Sequence, residues 1–411
     1  MFVTIIHPNL GIGGAERLVV DVAIAMKRSG HRVQLVTNHF DPKHAFMETT
    51  EFGYDFRFLV LNLDIKVIDV RPRSIFGFGC ALCAYIRMCI AALYICLFLK
   101  RTDLISACLL VFRVFRFLGL FNARLIFYCH FPDQLLTERK SMLKKFYRVF
   151  IDWFETWTMT MADLICVNSE FTKEIVIKTF PQIHERHIHI LYPTLNTKFF
   201  DHCKTAELNE IPKSARHIFV SINRYEKKKN VGLALEAFDL LKEKISEDDY
   251  RYCFLVIAGG YDVMNGENIA CFIELQEKAI ALGIPREQYV FLKSPTDEEK
   301  LELLRRATAV LYTPSNEHFG IVPVEAMYMK CCVIALNSGG PRETIIDEET
   351  GFLVQENSDS FAEKLSELVR NKCKATAMGE AGRKRVKTVF AMDNFVIRLE
   401  ALIHKVVSNT R

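Results

Sequence analysis

Two consecutive doubly wound α/β domains are the fold this sequence predicts, and three observations predict it. Short apolar, β-rich runs alternate with stretches of helical spacing along the whole chain. The alternation halts in an irregular stretch at 192–216, which carries Pro193 and Pro212, and then restarts. The length of 411 residues suits two or three domains, at about 150 residues each.

In chain order, residues 2–7 read as the first strand, 15–29 as a helix closing before Gly30, and 33–37 as the second strand. Further strands are expected at 56–61, 124–128 and 164–167, with an amphipathic helix over 140–161 between the last two. In the second half, 217–221, 253–258, 289–292, 310–312, 333–335 and 352–354 are short runs of the buried-strand kind, separated by helical segments. Thr296-Asp-Glu-Glu299 is a capping box that opens a helix through Arg306. The division that follows is a first domain over 1–195, a linker over 196–216, a second domain over 217–388 and a final helical segment over 389–411. The chain holds no repeat and no low-complexity tract.

With 53 Lys and Arg against 49 Asp and Glu, a net charge of +4 and 50% hydrophobic residues, the composition excludes a disordered chain and a dedicated nucleic-acid binder. The 13 cysteines are scattered, several of them inside apolar runs (Cys80, Cys83, Cys89, Cys96), and read as small core residues in a reducing environment. Cys80-Ala-Leu-Cys83 has no second pair and no neighbouring His, so a structural zinc site is not expected.

One segment departs from the globular pattern. Residues 80–99 are twenty in number, contain a single charge, Arg87, and lack Gly and Pro, which meets the length of a bilayer span. Their eight Leu, Ile and Phe residues roughly cancel against the near-central Arg on the insertion scale. Residues 104–120 mix Leu, Val and Phe with Arg113 and Arg116, as in a helix lying on an anionic membrane surface. The expectation is an apolar membrane-associating segment over 80–120, spanning or lying in the membrane; a buried core helix is the alternative.

Four places suit chemistry. The loop Pro8 to Gly14, with Gly11, Gly13 and Gly14, joins the first strand to a helix, where backbone N–H groups can meet an anion. It does not follow the dinucleotide spacing, and a plain tight connection would use the same glycines. His130 stands at the carboxyl end of a strand, where open α/β sheets bind ligands; a ligand-facing and a loop-anchoring histidine both fit there. Arg224 and Lys229 bring two cations to a strand-to-helix loop, a cradle for a diphosphate, while Lys227 and Lys228 read as a solvated face. Finally, in Glu317-His-Phe319-Gly320-Ile321-Val-Pro-Val-Glu325, two carboxylates flank a glycine turn and can hold two polyol parts of one ligand, or serve as helix-start charges. A further glycine turn, Ser338-Gly-Gly-Pro341, lies nearby in sequence.

These residues carry a resemblance. Glu317 and Glu325 around FGIVPVEAM, Arg224 with Lys229, and the opening GIGGAE resemble the retaining GT-B glycosyltransferases of the glycogen-synthase-like, group 1 type, over nearly the whole chain. HPNLGIGGAERLVVDVA, YCHFPDQLL, SINRYEKKKN and NEHFGIVPVEAM are similar, more narrowly, to the dolichol-pathway α-1,3/1,6-mannosyltransferases. The resemblance implies two Rossmann-like domains facing a central cleft, acceptor on the first and nucleotide-sugar on the second, with the final helix packing back on the first. It implies retaining transfer of mannose from GDP-mannose to a dolichyl-diphosphate-linked oligosaccharide in N-glycan precursor assembly, at the cytosolic face of the endoplasmic reticulum membrane, beside other enzymes of the pathway. Arg224 and Lys229 would neutralise the diphosphate, Glu325 hold the ribose and Glu317 meet the transferring mannose, with Phe319, Gly320 and Ile321 on the donor. His130, Gly13 and Gly14 would face the reaction centre, Gly14 also contacting the donor. No Asp-x-Asp motif is present, and no metal cofactor is expected. Another GT-B glycolipid enzyme, such as a phosphatidylinositol GlcNAc-transferase, and a non-catalytic nucleotide-binding scaffold are the competing readings; the five residues Glu317, Glu325, Arg224, Lys229 and His130 together weigh against the scaffold.

Overall fold

The computed structural model describes residues 1–49, 63–69, 80–98, 103–107, 123–136, 142–204 and 206–408. The chain forms two compact units, 1–194 with 392–411, and 195–391.

The first unit runs β1 (Phe2–His7), α1 (Gly14–Arg28), β2 (Arg32–Thr37), β3 (Asp64–Val67), α2 (Cys80–Phe98), β4 (Leu104–Ala107), β5 (Arg124–Cys129), α3 (Asp133–Leu136), α4 (Met142–Met159), β6 (Leu164–Val167), α5 (Glu170–Thr179) and β7 (Ile188–Ile190). Its strands pair in parallel in the order β3-β2-β1-β4-β5-β6-β7. A parallel sheet must be covered on both faces. Val3 and Ile5 of β1 pack on one side with α1 and with Phe395, Leu399 and Ile403 of the C-terminal helix Met392–Ser408. Ile6, Phe127 and Val167 pack on the other side with Met88, Ala91, Ala92 and Ile95 of α2, Met159 of α4 and Val176 of α5.

The second unit runs α6 (Thr197–His202), β8 (His217–Ile222), α7 (Gly232–Lys244), α8 (Glu247–Arg251), β9 (Cys253–Gly259), α9 (Gly266–Ala281), β10 (Tyr289–Lys293), α10 (Asp297–Arg306), β11 (Ala309–Tyr312), α11 (Ile321–Tyr328), β12 (Cys332–Leu336), α12 (Pro341–Thr344), β13 (Phe352–Val354), α13 (Ser358–Arg370) and α14 (Lys372–Arg385). Its parallel order is β10-β9-β8-β11-β12-β13. The capping box on Thr296 and Glu299 closes the start of α10 in both directions.

The structure departs from the expectations at residues 104–107 and 196–216, and describes the apolar segment in part. Residues 104–107, read as the start of a surface helix, form β4, seated in the sheet between β1 and β5; a four-residue strand was concealed by the apolar run that follows it in sequence, and 108–122 lie outside the described residues. Among the described residues no helix is long and apolar enough to cross a membrane. Within 80–99, α2 lays one face on the sheet, with Met88, Ala91, Ala92 and Ile95 buried, and leaves Ile86, Ile90, Leu93, Leu97 and Phe98 exposed. The stretch 196–216, expected as a linker, belongs to the second unit: Asp201 of α6 accepts a hydrogen bond from the Tyr328 hydroxyl at 2.7 Å and pairs with Arg383 at 2.8 Å. The strand expected at 56–61 lies outside the described residues.

Candidate functional site

The sheet of the second unit places the site. Chain order reverses between β8 and β11, which are hydrogen-bonded neighbours, so the loops leaving their carboxyl ends, 223–231 and 313–320, diverge from one point. Such a switch point opens a crevice in any open α/β sheet. Arg224 and Lys229 lie on the first loop and Glu317 on the second. Lys229 and Glu317 are 88 positions apart, yet Lys229 Nζ meets Glu317 Oε2 at 2.5 Å, and both side chains are largely withdrawn from water. The Thr313 hydroxyl donates to the Lys229 carbonyl at 2.8 Å, tying the loops together beneath this ion pair.

Burial alone would raise the Glu317 carboxyl, but the Lys229 charge and hydrogen bond overcome it and hold the group below the ordinary carboxylate range. Tyr312, the last residue of β11, bonds to the same carboxylate; burial first and the negative charges of Glu317 and Glu325 next raise its hydroxyl well above the usual value. His318 moves the other way. Burial lowers it, and Lys229 and Lys228 lower it further, against the pull of Glu317, so a neutral imidazole stands beside the ionised carboxylate near neutral pH.

Backbone geometry fixes this loop. Gly320 caps α11 at φ +83°, in the left-handed region that favours glycine, with no side chain on the first amides of the helix. The turn 338–341 closes over Glu317 and Phe319: the Gly340 N–H donates to the Glu317 carbonyl at 2.7 Å, and a Cβ on Gly340 would stand 2.3 Å from the Phe319 Cα. Phe319 buries its ring against Phe390, whereas Ile321 is partly exposed. Glu325 lies one turn further along α11 and pairs with Lys300 of α10 at 2.6 Å.

Arg224 is anchored from below. The buried Tyr225 donates to the carbonyls of Ile257 and Leu292 at 3.1 and 2.9 Å, and the next residue, Glu226, takes Arg224 at 3.0 Å and Lys228 at 3.1 Å. Lys227 turns outward to Glu274 at 2.9 Å. The sequence reading missed Tyr312, Thr313, Glu226, His318 and Lys300. Glu226 and His318 were visible as polar neighbours of chosen residues; the others act through contacts that no local spacing reveals.

His130, Gly13 and Gly14 belong to the first unit. Gly13 caps α1 in an extended conformation without a side-chain bond, and a Cβ on Gly14 would meet nothing within 4 Å. His130 follows β5, its ring 4.8 Å from that of Tyr128 and its carbonyl accepting from Asn168 Nδ2 at 3.2 Å. It lines a cavity of about 100 Å³ with Tyr85, Asp133 and Glu155. Glu155 accepts the N–H groups of Asp133 and Gln134 at 2.7 and 3.1 Å, which fixes the loop carrying His130. Burial, augmented by Asp133, pushes its carboxyl up to about 7.

The chain matches glycosyl transferases group 1 over residues 205–385 and glycosyltransferase family 4 over 12–199. It is 43% identical to the alpha-1,3/1,6-mannosyltransferase ALG2 of Homo sapiens, across 98% of this chain and 96% of that protein. Identity to the protein of the same name in Dictyostelium discoideum is 38%, across 98% of each. Among solved structures, a glycosyltransferase from Rickettsia africae is similar at a TM-score of 0.74 and 17% identity, covering 100% of this chain and 99% of that one. Anabaena HepE, crystallised with UDP and glucose, is similar at 0.70 and 17%, covering 98% and 100%. At such identities the structural likenesses establish the fold alone, a GT-B glycosyltransferase fold.

Proposed function

The chain belongs to the α-1,3/1,6-mannosyltransferase family and is a mannosyltransferase of N-glycan precursor assembly, and from that premise we propose how its two units divide the reaction. GDP-mannose binds at the β8/β11 switch point of the second unit. Lys229 and Arg224 meet the diphosphate, assisted by the open amides of α11, while Glu325 takes the ribose and Glu317 the mannose. The observation that carries this reading is the Lys229–Glu317 pair at 2.5 Å, which puts one cation and one carboxylate of a polar ligand site at a single point of the sheet.

Charge on the departing diphosphate grows in the transition state, so fixed cations there lower the barrier more than they strengthen ground-state binding. With Arg224, Lys229 and a helix start available, neutralisation needs no divalent ion. Glu317 is held ionised chiefly by Lys229, which suits it to stabilise positive charge developing on the sugar while the acceptor attacks from the face the phosphate leaves. His130, on the loop held by Glu155, together with the Gly13–Gly14 start of α1, serves the reaction centre from the acceptor unit. The acceptor is a dolichyl-diphosphate-linked oligosaccharide, and the enzyme works at the endoplasmic reticulum membrane on its cytosolic face, the exposed side of α2 turned to lipid.

The test is incubation of the purified full chain with GDP-mannose, UDP-glucose and UDP-GlcNAc in turn and a short-chain dolichyl-diphosphate acceptor, followed by mass analysis. Addition of two hexoses from GDP-mannose alone supports the reading. Transfer from UDP-GlcNAc, or none from any donor, contradicts it.

A further inference from the structure

Helix α4 buries charge on its inner side and leaves an apolar stripe on its outer side. A helix on the surface of a water-soluble protein turns its apolar stripe to the core and its charges to solvent. In α4 the buried side sets Arg148 at 2% exposure, Glu155 at 9% and Thr158 beside the apolar Ile151 and Met159. The outward stripe is Met142, Phe146, Val149, Phe150 and Trp153, each at least 59% exposed. Their spacing of four, three, one and three is that of a single helical face.

The inward charges are paired within the protein, Arg148 with Asp133 at 2.8 Å and Asp152 at 2.7 Å, and Glu155 with two backbone N–H groups. The carboxylates and the arginine of this helix are therefore engaged internally, and its outer face is left with an apolar stripe. A continuous apolar surface of this kind marks a docking site.

We propose that the outer face of α4 is an interfacial membrane anchor that seats the acceptor unit on an anionic lipid surface, in the plane of the headgroups. Charge selects this occupant. Both carboxylates of α4, Asp152 and Glu155, are withdrawn to the inner side, whereas the sequence places Lys144 and Lys145 in its first turn, Lys145 exposed beside the stripe. An apolar stripe with an exposed lysine beside it and no acid among its described residues matches anionic headgroups over acyl chains. Helix α2 is a neighbour of α4 on the same side of the sheet: Tyr85 of α2 packs edge-on against Phe154 of α4 at 5.1 Å between ring centroids. The proposal rests on the lipid-linked acceptor of the preceding reading for its purpose, and on the geometry of α4 for its place.

Both tryptophans of the chain, Trp153 and Trp157, lie on α4, which supplies the probe. In the full chain carrying Trp157→Phe, Trp153 emission should shift to shorter wavelength on adding phosphatidylcholine vesicles that contain phosphatidylserine, and should be quenched when the acyl chains are brominated. Phe146→Gln, Phe150→Gln and Trp153→Gln together should lower flotation with those vesicles by about tenfold or more, and Lys144→Glu with Lys145→Glu should lower it less and abolish its salt dependence. Transfer to a short-chain soluble acceptor should survive in every variant, which also shows that each has folded. Unshifted, unquenched Trp153 emission overturns the proposal, as does flotation of the triple variant equal to the wild type. If the wild type is a dimer that the triple variant dissolves, with vesicle binding unaltered, the stripe is a contact between copies and the proposal falls. Vesicle binding without any mannose transfer would leave the anchor standing and overturn the functional reading instead.

Discussion

Helices α4 and α13 both cover a parallel sheet and both carry a clean apolar stripe, yet they face opposite ways. In α13 the stripe points inward: Phe361, Leu365 and Leu368 are fully buried, and Asp359, Glu363 and Arg370 meet the solvent. In α4 the stripe points outward, and an arginine and a glutamate go in beside Ile151 and Met159. A periodic pattern in sequence thus establishes that a helix has two faces and leaves open which face meets the core. What decides it is whether the polar side finds partners inside, as Arg148 and Glu155 do.

The same contrast separates the two candidate sites. In the second unit, charge is concentrated at a strand-end crevice, and each charged group has an ionic partner: Glu317 for Lys229, Glu226 for Arg224, Lys300 for Glu325. In the first unit, the charges under α4 hold a loop in place and keep His130 where it is.

The largest effect expected is on chemistry. Lys229→Ala should lower turnover by about a hundredfold or more, on the order of 3 kcal/mol of transition-state stabilisation, with Arg224→Ala similar. Lys227→Ala and Lys228→Ala, both exposed, should change turnover far less. Steady-state kinetics on the four variants would break the assignment if the order were reversed.

Next comes stability, which tests the opposed helices directly. Phe361→Ala in α13 removes a fully buried ring and should cost about 3–5 kcal/mol. Phe150→Ala in α4, 59% exposed, should stay within about 0.5 kcal/mol. Thermal melts of the two variants in lipid-free buffer would sharpen the contrast, and a large loss from Phe150→Ala would end it.

A smaller effect concerns pH. Burial raises Glu155 to about 7, so between the ordinary carboxylate range and neutrality the folded chain keeps a proton that the unfolded chain has released. Stability should then rise as pH falls from about 7 toward that range. Asp21, raised by burial to about 6 despite its pairing with Arg17, contributes to the same window. Glu155→Gln should flatten the profile by the Glu155 share alone, read as the difference between the variant and wild-type melting curves. A variant profile as steep as the wild type would show that Glu155 does not titrate there. The smallest effect expected is from chelation: transfer should persist in saturating chelator, because the cations proposed for the diphosphate are side chains, and complete loss restored by magnesium or manganese would contradict that.

Much of this was legible in the chain because each feature is local. The strands at 2–7, 124–129 and 217–222 are apolar runs bounded by turn residues, and Glu317, Gly320 and Glu325 stand within nine positions of one another. Other features are products of the fold. Residues 104–107 became a strand because the sheet required one beside β1, and their apolar character alone was as consistent with the helix expected there. Tyr312 and Thr313 serve the site only because β11 lies against β8, an adjacency set by topology. The outward stripe of α4 was missed because an inward one has the same period.

The central claim is that the β8/β11 switch point holds the donor, and calorimetric titration of GDP and GDP-mannose into the purified full chain tests it most directly. The wild type should bind both, Lys229→Ala should weaken both by about tenfold or more through loss of a charge-assisted contact, and Glu317→Gln should weaken GDP-mannose while leaving GDP nearly unchanged. Equal binding of GDP by the wild type and Lys229→Ala would place the donor elsewhere and contradict the account.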